Sequence, residues 1–131
     1  NGVVHGGTYC AHITGLAAAL ATMSELTKSA LFDGIQSTGR RVKTAIAQGI
    51  ALADAACEFQ GTDLMFCIRI QRRCGGAPIA YNRFAHSLLR EGILVEPEPS
   101  EPWFICQAHE TIDLNSLTMA VRNATIEACT S

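Results

Sequence analysis

The chain has 131 residues, 48% of them apolar and 17% charged, with a formal net charge of -2. At about 150 residues per domain this is roughly one domain of ordinary globular composition, long enough for a modest core. The charge balance gives no electrostatic footprint for nucleic acid. No apolar run approaches the ~18 residues a membrane span needs. The chain opens on Asn1, not Met, with no charged and apolar leader. A Gly-rich start of this kind is expected in the middle of a longer protein.

Leu16, Leu20, Met23 and Leu26, with alanines between, predict a helix over 14–31. Asp33-Gly34 marks a break or fraying turn. A second helix follows, with Ile35, Val42, Ile46, Ile50 and Ala53 on one face and Arg40, Arg41 and Lys43 on the wet side; its end is expected near Ala55–Cys57. Leu64–Ile70 is a β-rich apolar run and predicts a strand. Gly75–Pro78 reads as a loop. Tyr81, Phe84, Ala85, Leu88 and Leu89 predict a third helix, closed by Gly92.

Ile93–Val95 predicts a short strand. The prolines at 97, 99 and 102 make 96–102 an acidic loop, since each removes a backbone donor. Trp103–Cys106 predicts another strand. Thr111 is a plausible N-cap for the last helix, with Asp113 in its first turn and Leu114, Leu117, Val121 and Ala124 along it. This order predicts an α+β fold: a small, mostly antiparallel sheet with helices packed on one face. The expected organisation is a loop at 1–13, two connecting helices at 14–57 and a small α+β domain at 58–131.

Six cysteines (10, 57, 67, 74, 106 and 129) are scattered through predicted helices and strands. No Cys-x-x-Cys and no Cys/His pair at zinc spacing is read in the sequence. They read as reduced, structural thiols in a cytoplasmic environment. His5, His12, His86 and His109 show no pairing at ligand spacing and read as structural or solvated; for His109, capping is the plain explanation. Glu96, Glu98 and Glu101 read as a solvated turn. Only two lysines are present, Lys28 and Lys43, both in helical patterns. His5-Gly6-Gly7-Thr8-Tyr9 stands apart. Paired glycines expose N–H groups, Thr8 adds a hydroxyl, and a helix begins just downstream, a combination suited to a phosphate.

Several segments, in order, resemble class III pyridoxal-phosphate aminotransferases, closest to the glutamate-1-semialdehyde aminomutase branch. His5–Tyr9 resembles the family's Gly-Gly-Thr-Tyr, which leads into Gly-Asn-Pro and a helix. Arg40–Lys43 is similar to its Arg-Leu-Lys helix, and Leu64–Phe66 to its Ser-Met-Phe strand. Phe84–Ile93 is similar to its helix ending in Leu-Leu-Glu-Glu-Gly-Val. Pro97, Glu101 and Ala108-His109 also match. Asp113 opens the terminal helix as the family's acidic residues do.

The resemblance implies the small C-terminal domain of a fold type I enzyme with pyridoxal 5'-phosphate as cofactor, acting on a small amino or keto acid. It implies that Gly7 and Thr8 contact the cofactor phosphate across a dimer interface and that Glu101 lies on the substrate side. It also implies a large cofactor-binding domain, or a companion chain, as partner in a homo-oligomer.

Two departures stand out. Ala11-His12-Ile13 replaces Gly-Asn-Pro, and the family's Schiff-base lysine, its pyridine-pairing aspartate and its stacking aromatic lie upstream of this loop. The chain alone is therefore expected to lack a complete catalytic site, with no catalytic or metal-binding residue of its own. Alternatives are a non-catalytic binding or dimerisation module, and a small-molecule sensor with a ferredoxin-like sheet, suggested by the strand–helix–strand order from Leu64 to Cys106.

Overall fold

An alanine-rich segment with high helix propensity forms the first element, α1, Ile13–Leu26. In this computed structural model, residues 6–72 and 79–129 are described. The loop expected at Gly75–Pro78 lies outside them, as do His5 and Cys74. The helical chain turns at Thr27-Lys28, not at Asp33-Gly34. The Thr27 hydroxyl donates to the Ser24 carbonyl (2.8 Å), and the Thr27 and Lys28 N–H groups donate to Met23 and Glu25. Helix α2, Ser29–Leu52, then runs straight through Asp33-Gly34. A glycine inside a helix costs only about 1 kcal/mol against alanine, less than is gained by burying the face of Val42, Ala45, Ile46 and Ile50 beyond it.

Helix α2 also stops earlier than its apolar spacing suggests. Asp54 adopts a left-handed backbone (φ 53°) and reverses the chain. The strand β1 follows directly, Ala55–Gly61, where the helix end had been expected. It pairs antiparallel with β2, Met65–Arg72, from Ala55↔Arg72 to Gly61↔Phe66. The turn between them is held by Thr62, whose hydroxyl accepts the Leu64 and Met65 N–H groups (both 3.2 Å). Gly61 is required there: its φ is 119°, and a Cβ would stand 2.3 Å from the Met65 carbonyl oxygen.

Helix α3 spans Tyr81–Arg90 and is closed at Gly92, as expected. Ile93–Val95 forms no strand. It crosses the core with Ile93 and Val95 half-buried, where no sheet edge pairs with it. After the proline loop, β3 is only Trp103–Phe104, paired antiparallel with β2, so the predicted strand ends before Cys106. A 3-10 turn, Gln107–Thr111, leads to α4, Leu114–Cys129. Thr111 belongs to that turn, and Asp113 is the cap. The Asp113 carboxylate accepts the Asn115 and Ser116 N–H groups (2.9 and 3.3 Å) and the Ser116 hydroxyl (2.7 Å).

The architecture is α+β, with a three-stranded antiparallel sheet in the order β1-β2-β3. Phe66, Ile68 and Ile70 alternate inward along β2 and join Ile46, Ile50, Phe84, Leu88, Val121 and Ala124 in one core. The chain divides into two compact units, Asn1–Asp33 and Gly34–Ser131. That core lies in the second. In the first, α1 buries none of its residues. Among the described residues no helix is long and apolar enough to cross a membrane.

Candidate functional site

In the first unit, Gly7 and Thr8 share one exposed turn. The Gly7 carbonyl accepts the Cys10 N–H (3.0 Å) and the Tyr9 carbonyl accepts the His12 N–H (3.1 Å). This curls the chain so that Thr8 sits at the tip. Ala11 follows in a left-handed conformation (φ 64°), uncommon for a residue with a Cβ. His12 is the N-cap of α1, its Nδ1 accepting the Gly15 N–H at 3.1 Å. Ile13 is the first helical residue. Glycine, asparagine and proline are the residue types these three positions favour: a positive φ, a capping acceptor and a first helical turn. Ala11, His12 and Ile13 thus supply a left-handed residue, a capping acceptor and a helix start in turn.

Glu101 belongs to the second unit, in the proline loop ahead of β3. It is exposed, and its N–H donates to the Glu98 carbonyl (3.1 Å). The loop is strapped to the fold by Tyr81, whose hydroxyl donates to the Glu96 carbonyl (3.1 Å) and accepts the Trp103 indole N–H (2.8 Å). Burial pushes the Tyr81 phenol above its ordinary value, opposed by the Trp103 hydrogen bond. Beneath the loop lies a largely apolar cavity of about 330 Å³, lined among others by Val42, Ile46, Trp103 and Leu117, with Glu96 and His109 as polar members.

Each lysine has a carboxylate neighbour. Lys28 pairs with Glu25. Lys43 Nζ lies 3.2 Å from the Asp63 carboxylate and 5.2 and 5.5 Å from the ring centroids of Phe59 and Phe66, with its side chain only 20% exposed. These contacts tie α2 to the β1–β2 hairpin. Lys43 would have to surrender them to act as a nucleophile.

One arrangement escaped the sequence reading. Cys106 and His109 are in contact, Sγ to Nδ1 3.4 Å. The overlooked signal is their spacing of three, which a tight turn folds onto itself. Among the described residues no group of three or more His, Cys, Asp or Glu side chains could hold a metal ion. The five described cysteines are free thiols.

No family model matches the chain. Among curated proteins, the glutamate-1-semialdehyde 2,1-aminomutase of Akkermansia muciniphila is 24% identical over 128 residues, covering 92% of this chain and 30% of that protein. The protein of the same name from Leptothrix cholodnii is 29% identical over 136 residues, covering 93% of this chain and 31% of its own length. The chain therefore spans less than a third of the curated relatives it matches.

Proposed function

From the premise that this chain is a distant relative of the glutamate-1-semialdehyde 2,1-aminomutases, we propose that it serves as a portion of a pyridoxal-phosphate-dependent aminotransferase or aminomutase acting on an amino or keto acid. The observation that carries this reading is the extent of the similarity, over 92–93% of the chain. The loop supports it as well. Gly7 and Thr8 stand exposed ahead of a capped helix, and their donors suit the phosphate end of the cofactor. When bound, the cofactor supplies an electron sink for carbanion chemistry.

In this reading Gly7 donates its N–H and Thr8 its hydroxyl to the phosphate. Glu101 stands on the substrate side. The rest of the site comes from a large cofactor-binding domain or companion chain, since the chain spans less than a third of the curated relatives it matches. The exposed apolar side chains of α1 (Ile13, Leu16, Leu20 and Met23) supply an interface for dimerisation.

Thr8→Ala tests the loop's role. A hydrogen bond to a charged group contributes about 1.5–3 kcal/mol, so cofactor affinity in the assembled enzyme should fall about tenfold or more. Retention of pyridoxal phosphate through gel filtration, followed by its absorbance, reads this directly. Unchanged retention would overturn the assignment.

A second reading, a non-catalytic dimerisation module, is favoured by the same exposed face of α1 and by the self-contained core of 34–131. It is distinguished by adding pyridoxal phosphate to the isolated chain and measuring its size. An oligomer with no cofactor-dependent absorbance supports the module.

A further inference from the structure

We propose that the cavity beneath the proline loop binds a small organic ammonium ion that carries an apolar body. The cavity lies wholly within the second unit, and its volume of about 330 Å³ stands at the low end of the range for ligand pockets. Val42, Ile46 and Leu117 give it apolar walls. Trp103 adds an indole ring, which stacks on Phe84 with centroids 6.5 Å apart and planes inclined by 15°. An apolar body gains by leaving water for such walls.

The charge of the ligand follows from the chain that builds the cavity. Glu96 and His109 line it, and no Lys or Arg does. Between Glu91 and Val121 the sequence holds six Asp and Glu and no Lys or Arg, whereas the rest holds all ten Lys and Arg and the other six Asp and Glu. All lining residues except Val42 and Ile46 come from that acidic stretch. A cleft with apolar walls and one sign of charge gathers the opposite ion. An anion is repelled there, and a neutral molecule gains nothing from the carboxylates.

Glu96 and Trp103 are the residues placed to select the ammonium. The Tyr81 hydroxyl donates to the Glu96 carbonyl (3.1 Å) and accepts the Trp103 indole N–H (2.8 Å). One hydroxyl thus holds the acidic residue and the aromatic ring at the same cavity. Among the described residues no ion pair engages the Glu96 carboxylate. An ammonium ion is attracted by a carboxylate through its charge and by an indole through the negative face of the ring.

Trp103 is the only tryptophan, so its emission reads the cavity directly in the full chain. The probe is 2-phenylethylamine, protonated at neutral pH, with 2-phenylethanol and 3-phenylpropanoate as neutral and anionic counterparts. The amine should shift Trp103 emission saturably. It should bind about three- to tenfold more tightly than the alcohol, as expected for a solvent-accessible charge pair with an added ring contact. The anion should bind more weakly than the alcohol. Glu96→Gln, at an exposed position, should bring the amine down to the affinity of the alcohol and leave the alcohol unchanged. Methylamine, the head group without the body, should cause no shift at the same concentrations. The absence of a saturable shift, equal affinities for amine and alcohol, an undiminished amine affinity in the Gln variant, or methylamine binding as tightly as the probe would each overturn the proposal. If a second copy of the chain fills the cavity instead, the amine-induced shift disappears as the protein is concentrated and its size on gel filtration doubles, which overturns it as well.

Discussion

Ala11, His12 and Asp113 show how single positions set the ends of elements. Ala11 bears a Cβ in a left-handed conformation, His12 caps α1, and Asp113 caps α4 through three hydrogen bonds. Hydrogen bonds from Ser116, side chain and backbone, and from the Asn115 N–H hold the Asp113 carboxyl below its ordinary value. A lowered folded value means that ionised Asp113 stabilises the fold. That contribution is fully present above the ordinary aspartate value and is lost as the pH falls through the lowered one. Asp113→Asn should therefore flatten the acid limb of the stability–pH curve, measured by urea midpoints at stepped pH. A curve parallel to that of the unmodified chain would contradict this. Thr111 looked like the cap because its residue type fits. Which candidate becomes the cap depends on where the preceding 3-10 turn stops, and that is decided by its packing. Thr8 was legible as an exposed hydroxyl after paired glycines. The contact between Cys106 and His109 was not, because thiols counted singly read as small apolar residues.

Elements differ in how far their own sequence determines them. The strand β2 was legible as a short apolar run, Leu64–Ile70, whose Ile68 and Ile70 are β-branched and turn inward with Phe66. The strand β1 was not, since Ala55, Ala56 and Cys57 suit a helix as well, and pairing with β2 makes them extended. Ile93–Val95 has the composition of a strand and no edge to join. Between helices, the decisive detail is Gly49 on α2. A Cβ there would stand 2.5 Å from the Thr118 carbonyl oxygen and 2.9 Å from Val121 Cβ on α4. Thr118 reinforces that approach, its hydroxyl within 3.2 Å of the Ala45 carbonyl. Gly49→Ala should therefore destabilise the fold by about 1–3 kcal/mol, the usual cost of overpacking, although alanine is the better helix former. Equilibrium urea unfolding checks this, and a stabilised variant would show that α2 and α4 can separate freely.

At the scale of the whole molecule, the core is confined to 34–131, and α1 buries nothing. Residues 34–131 alone should consequently unfold in one cooperative transition, with a urea midpoint close to that of the full chain. A broad or much earlier transition would mean that 1–33 supplies part of the core. The α+β class and antiparallel sheet were legible from element order alone, because short strands joined by turns and one helix leave few other topologies. Asp33-Gly34 was legible as a dividing point, but not as the interior of a helix: the compact units divide there while α2 continues through it. The sheet order carries a further consequence, for colloidal behaviour. With β1 outermost in the sheet, alternate residues along 56–61 turn their backbone N–H and C=O groups away from β2. Glu58 is the single charged side chain along that strand. An edge of this length guarded by one carboxylate is a template for another chain's strand. Loss of the Glu58 carboxylate therefore promotes edge-to-edge self-association, so the colloidal solubility of the chain depends on this one side chain.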